Sequence, residues 1–185
     1  MVETVNETNI VDEFLNGSDI AFVRLYNRYK HSIYLFSLKM LNDDEQAKDA
    51  VQNVFLKAYE RRDQLRRAEC FKSWIFTIAR NECYTFLRKE KEMFETTDDY
   101  EDCITLSSTL EYDTIEQHEI LNHALERLRA RYREVIILKE YDGFSYKEIA
   151  GIVQSTESAV KSLLFKARKS LATLLQPILD ETKHL

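Results

Sequence analysis

Glycine and proline are nearly absent from this 185-residue chain, which holds 3 Gly and 1 Pro. A sandwich or barrel needs many tight turns, and tight turns draw on both residues, so an all-β fold is disfavoured. With only Gly17, Gly143 and Gly151, there is no glycine-rich loop to cradle a phosphate. No apolar run reaches about 18 residues, so no membrane-inserted helix is expected. Cys70, Cys83 and Cys103 are odd in number and form no C-x-x-C pair, which points to reduced thiols. His31, His118, His123 and His184 share no metal-ligand spacing with one another or with the cysteines. No metal, no cofactor and no catalytic residue is therefore expected, and the chain does not read as an enzyme. The opening Met1-Val2-Glu3 lacks the basic region and apolar stretch of a secretory signal, so a cytoplasmic protein is expected.

What is present is a globular balance of 44% apolar and 31% charged residues. The formal net charge of −6 hides its own distribution. Glu95, Asp98, Asp99, Glu101, Asp102, Glu111, Asp113 and Glu116 form an acidic stretch without a single Lys or Arg. Removing these eight from the 32 acidic residues leaves 24, against 26 basic ones. The rest of the chain is thus slightly basic, and its basic residues cluster locally.

Apolar periodicity predicts long helices. Asn16-Gly17-Ser18-Asp19 is a stop-and-start signal, and Phe22, Leu25, Tyr29, Ile33, Phe36 and Met40 then recur at gaps of three and four. Asn42-Asp43-Asp44 breaks that helix and starts another, with Ala47, Val51, Val54 and Ala58 as its stripe and Ala50 and Phe55 beside it. Residues 61–70 are polar and basic and read as a loop. A third helix is expected from about Phe71 to Lys91, marked by Trp74, Ile75, Ile78 and Phe86. Periodicity lapses over 92–113, as in an extended linker, and returns with Ile115, Leu121, Leu125 and Leu128. Val135-Ile136-Ile137-Leu138 suits a buried strand by composition alone, but its charged neighbours lack turn residues and favour a helix that ends at Asp142-Gly143. The expected fold is all-α: two small helical domains, 1–91 and 114–185, joined by a flexible acidic linker, 92–113.

The densest signal lies in 143–171. Ser145 and Glu148 form an S-x-x-E capping box that starts a short helix, with Ile149 and Ala150 facing inward. Gln154-Ser155 is the turn, and Thr156 is the N-cap of a second helix. That helix turns Val160, Leu164, Ala167 and Leu171 to one side, and Ser158, Lys161, Ser162, Phe165, Lys166 and Lys169 to the other. This is a helix-turn-helix whose basic second helix suits a major groove.

The chain resembles the extracytoplasmic-function (ECF) group of bacterial RNA polymerase sigma factors. The segment Glu148-Ile149-Ala150-x-x-Val153-Gln154-x-Thr156-x-Ser158-Ala159-Val160-Lys161-Ser162 follows the family's E-I-A-x-x-L-G-x-S-x-G-T-V-K-S. Asp44, Ala47, Asp49, Gln52 and Phe55 match its D-x-x-A-x-D-x-x-Q-x-x-F helix, and Phe71 to Asn81 matches F-x-x-W-L-x-x-I-A-R-N. Gln154 stands where the family has a turn glycine, so a reshaped turn is expected, since a left-handed non-glycine residue costs on the order of 1 kcal/mol. Ser158 and Ala159 replace Gly and Thr, which bears on base preference.

The resemblance implies three jobs. Core polymerase binding falls to Asp49, Gln52, Asn53, Phe55 and Lys57. The single-stranded −10 element falls to Arg61, Arg62, Arg66, Arg67, Phe71, Lys72, Trp74, Arg80, Asn81 and Tyr84. Trp74 has a second reading as a core residue. The −35 duplex falls to Thr156, Ser158, Lys161, Ser162, Phe165, Lys166 and Lys169. The implied partners are core RNA polymerase and promoter DNA; the resemblance also admits an anti-sigma factor, to which no residue points. The competing reading is a one-component helix-turn-helix regulator with a helical sensor domain.

The charge distribution separates the two. A net charge of −6 repels phosphate, and two small modules make few contacts. Without core polymerase the chain is expected to bind a promoter duplex weakly, with little sequence preference, in a fluorescence-anisotropy titration. Tight and specific binding by the chain alone would favour the one-component regulator.

Overall fold

A computed structural model describes the backbone of residues 7–94 and 117–181, with side chains at 7–92 and 120–177. The acidic stretch, Cys103, Ile115 and His184 lie outside the described residues. Within them, every regular element is helical. Packing divides the chain into two compact units, the first closing at Glu90 and the second, which leaves out Gly151–Gln154, opening at Lys91.

The first unit holds α1 (Glu7–Leu15), α2 (Asp19–Leu41), α3 (Asp44–Glu60) and α4, which starts at Phe71 and continues to Phe94. Helix α1 ends in Gly17 at φ +91, where two backbone bonds, Gly17 N–H to Phe14 O and Ser18 N–H to Glu13 O, close the last turn. Ser18 then caps α2 by accepting the Ala21 N–H at 3.2 Å, and Asp43 caps α3 by accepting the Gln46 N–H at 2.8 Å. Asn42 between α2 and α3 takes φ +54, a left-handed conformation that asparagine tolerates.

The predicted stripes face inward. Leu25, Tyr29, Ile33, Phe36 and Met40 of α2 and Ala47, Val51, Val54 and Ala58 of α3 are all buried. Phe22 is half-buried. Aromatic rings knit the unit: Phe14 meets Phe71 edge-on at 6.2 Å, and Phe36 meets Phe76 at 5.5 Å. The Tyr29 hydroxyl donates to the Glu7 carboxylate and ties α1 to α2. Burial, and then Glu7, push the Tyr29 phenol well above its ordinary value.

The second unit holds α5 (Gln117–Glu126), α6 (Ala130–Ile136), a π-turn (Ile137–Tyr141), α7 (Tyr146–Ile152) up to Ala150, and α8 (Glu157–Glu181). Val135, Ile136, Ile137 and Leu138 are helical and buried. Helix α8 packs on α6 and α5 through Val160, Leu164 and Ala167, each 1% exposed or less. Leu171 is half-buried.

Two expectations need correcting. Helix α4 runs three residues past Lys91 into the expected linker. The turn at Gln154 is not reshaped: Gln154 takes φ +53, the conformation that glycine would adopt. The Ser155 N–H bonds Ala150 O at 2.8 Å and the Gln154 N–H bonds Gly151 O at 3.3 Å, the paired closure of a helix end on a left-handed residue. Glutamine carries a strain of about 1 kcal/mol there, and the flanking burial outweighs it. Gln154→Gly is expected to raise the thermal midpoint by several degrees in circular-dichroism melting. A lowered midpoint would refute the strain.

Candidate nucleic-acid and polymerase interfaces

The exposed face of α8 is the clearest surface. Thr156 Oγ1 accepts the Ala159 N–H at 3.2 Å and caps the helix, so its side chain serves the fold first. The capping box of α7 is closed from both sides: Glu148 accepts from the Ser145 N–H at 2.8 Å and hydroxyl at 2.6 Å, and the Glu148 N–H donates to Ser145 Oγ at 3.2 Å. With both caps fixed, burial of Val160, Leu164 and Ala167 turns Ser158, Lys161, Ser162, Phe165, Lys166 and Lys169 outward together. Phe165 is 71% exposed, in the middle of the polar face. A basic helical face with one apolar ring suits a major groove, where phosphates flank bases and thymine carries a methyl group.

In the first unit, the loop between α3 and α4 is anchored by Leu65 and Ala68, both buried, and its arginines differ. Arg61 and Arg66 are exposed. Arg62 lies over the Tyr59 ring at 4.9 Å and donates to Tyr59 O at 3.0 Å. Arg67 pairs with Glu69 at 3.5 Å across open solvent, a contact of little energetic weight. On α4, Arg80 stands over the Tyr84 ring at 4.7 Å and donates to Asn81 Oδ1 at 3.2 Å. Asn81 is exposed, and with its oxygen engaged, its amide N–H groups are the donors a base edge would meet. Lys72 is half-buried.

Phe71 is 2% exposed, between Phe14, Tyr29 and Trp74, so it builds the core rather than meeting DNA. Trp74 is half-buried against Phe71 at 5.9 Å, with surface left for contact. Phe55 is 3% exposed and packs on Tyr26 at 4.8 Å and Phe22 at 6.3 Å, which removes it from the polymerase-facing set. The Lys57 ammonium pairs with Glu82, a carboxylate 5% exposed on α4. Lys57 therefore binds α3 to α4, because a buried carboxylate without a partner is costly. Asp49 and Gln52 are exposed and Asn53 is half-buried.

Leu56 is not among the residues that the sequence pattern singles out. It is 57% exposed, four residues after Gln52 on the same face of α3. Val23 and Tyr26 of α2 and Tyr59 of α3 are also exposed. The available signal was a leucine out of register with the Val51–Val54–Ala58 stripe.

Residues 25–93 match Sigma-70 region 2, and residues 118–171 match Sigma-70, region 4. The ECF RNA polymerase sigma factor SigM of Bacillus subtilis is 30% identical across 81% of this chain and 92% of its own. The chain belongs to the ECF sigma factors. RNA polymerase sigma-H factor of Pseudomonas aeruginosa is 26% identical across 98% of this chain and all of its own. The sigma factor RpoE from Bartonella quintana, solved in complex with the anti-sigma factor NepR, is 28% identical with a TM-score of 0.67, covering 84% of this chain and 96% of its own. As a sigma factor, this chain binds core RNA polymerase and promoter DNA and initiates transcription. Its family is one of non-catalytic initiation factors. A one-component regulator has no sigma-70 region 2, so that reading falls. Among the described residues no helix is long and apolar enough to cross a membrane, and no group of three metal-ligating side chains occurs.

The burial of Phe71 separates a core role from a DNA role. Phe71→Ala is expected to cost about 3–5 kcal/mol of stability, seen as an earlier midpoint in urea unfolding. An unchanged midpoint with lost promoter opening would return Phe71 to the DNA surface.

Proposed function

We propose that the sigma factor divides its work among three segments. Residues 1–91 grip core polymerase and hold the opened −10 element, residues 92–113 form an acidic linker, and residues 114–185 read the −35 duplex. The polymerase grip uses Asp49, Gln52 and Asn53, with Leu56 as the apolar centre of that face. A polar rim around an exposed apolar residue is the composition of a protein interface. Arg61, Arg62, Arg66, Arg67 and Lys72 supply charge to the DNA backbone. Trp74, Arg80, Asn81 and Tyr84 hold unstacked bases, which aromatic rings and amides accept once a duplex opens. On α8, Lys161, Lys166 and Lys169 meet phosphates or guanines, Ser158 and Ser162 bond base edges or backbone, and Phe165 meets a thymine methyl.

This protein is not itself an enzyme; it lends specificity to one. It acts in the cytoplasm, where the polymerase it serves is found. An anti-sigma factor is a further proposed partner, supported by the Bartonella RpoE–NepR complex.

The observation that carries the strand-opening role is Asn81, exposed and braced by Arg80 over Tyr84. In closed duplex the base edge an amide would bond is already paired. An Asn81 contact therefore favours only the open state, and only such differential binding shifts an equilibrium. Asn81→Ala is expected to leave core binding intact and to reduce open complexes about tenfold, if the lost hydrogen bonding is worth about 1.4 kcal/mol. Permanganate reactivity of unpaired thymines reads this directly. A template mismatched through the −10 element should recover part of the loss. Normal reactivity on duplex DNA would remove Asn81 from the opening surface.

A further inference from the structure

The Tyr146 ring, at the start of α7, is flanked by two ammonium groups. Lys139 Nζ lies 4.9 Å from its centroid and Lys161 Nζ lies 5.4 Å from it. The three residues come from three elements: the π-turn, α7 and α8. Lys139 is itself tethered, since its Nζ donates to Phe144 O at 3.2 Å. The next residue of the π-turn, Glu140, binds the Arg168 guanidinium of α8 at 2.5 and 3.2 Å. That bond comes first in holding Arg168 above its ordinary value, with a smaller contribution from the Tyr146 phenol. A π-turn closes its hydrogen bond across five residues, here Asp142 N–H to Ile137 O at 3.1 Å, and so re-aims its side chains, sending the consecutive Lys139 and Glu140 to α7 and α8.

We infer that Tyr146 is a positioning residue for the −35 contact: its ring holds the Lys161 ammonium ordered on the exposed face of α8 before DNA arrives. A free lysine on a helix samples many rotamers, and binding must order it. A cation over an aromatic ring is ordered in advance, and the fixed Lys139 and the Glu140–Arg168 bond hold the elements around that ring. The inference rests on the proposal that α8 enters the groove through Lys161.

The test uses full-length chain assembled with core polymerase, titrated on a promoter duplex at several salt concentrations. Lys161→Ala should weaken binding. Tyr146→Leu should weaken it by roughly twofold to fivefold, with the wild-type salt slope, because the charge is still there. Tyr146→Phe keeps the ring and should stay near wild type. In the Lys161→Ala background, Tyr146→Leu should add no further loss, since the residue it positions is gone. Should Tyr146→Leu lower the melting midpoint, Tyr146→Met, which keeps apolar bulk without a π-face, gives the same readout. An additive loss in the double variant, or a Tyr146→Phe loss as large as that of Tyr146→Leu, overturns the positioning role while leaving the groove reading intact. A Lys161→Ala chain with undiminished promoter affinity overturns both.

Discussion

Burial of Val160, Leu164 and Ala167 decides what the second unit shows to solvent. A helix offers its neighbours one stripe, and the rest must face water or a partner. Each fully buried valine or leucine contributes about 1.5–3 kcal/mol, so two of them outweigh the left-handed strain at Gln154 several times over. The rotation of α8 is thereby set by apolar packing, while the polar face is a consequence. The three lysines and two serines of that face are together because the opposite side has nowhere else to go.

The first unit follows the same rule with an electrostatic addition. Aromatic rings from α1, α2 and α4 fill its interior, and the Glu82 carboxylate is buried with Lys57 as its partner. Removing Lys57 would strand the buried Glu82 carboxylate at low dielectric, a cost of about 3–5 kcal/mol, whereas the Lys57 ammonium still reaches solvent. The pair joins α3, which bears the proposed polymerase surface, to α4, which bears Asn81 one residue before Glu82. Position on one helix is thus coupled to position on the other through a contact within the unit itself.

Net charge and function are reconciled by distribution. Under the proposed division of work, a chain of net charge −6 gains little from long-range attraction to DNA, and the basic groups that would meet it are concentrated in the α3–α4 loop and on the exposed face of α8. The weak intrinsic DNA affinity expected from that charge would suit an initiation factor, because specificity would then appear only with core polymerase holding both proposed surfaces on one promoter. Linking two weak sites raises their joint affinity without any new contact.

Much of this was legible in the order of residues. Helical periodicity, the Ser145–Glu148 capping box, the Thr156 cap and the two-sided pattern of α8 are local properties, each set within a few turns, and each appears in the structure as expected. What local pattern does not encode is which of several neighbouring apolar or charged groups finds a partner far along the chain. Phe55 and Phe71 share the composition of binding aromatics but are enclosed by rings from other helices; Lys57 looks like surface charge until Glu82, 25 residues away, meets it. Leu56 and Tyr146 gain their places the same way, one left exposed and the other brought beside two lysines. Residue spacing is enough to say which side of each helix is apolar, because that property is local. Which polar and aromatic groups remain for partners is settled only when the helices pack, because burial and pairing depend on contacts between segments that spacing does not relate.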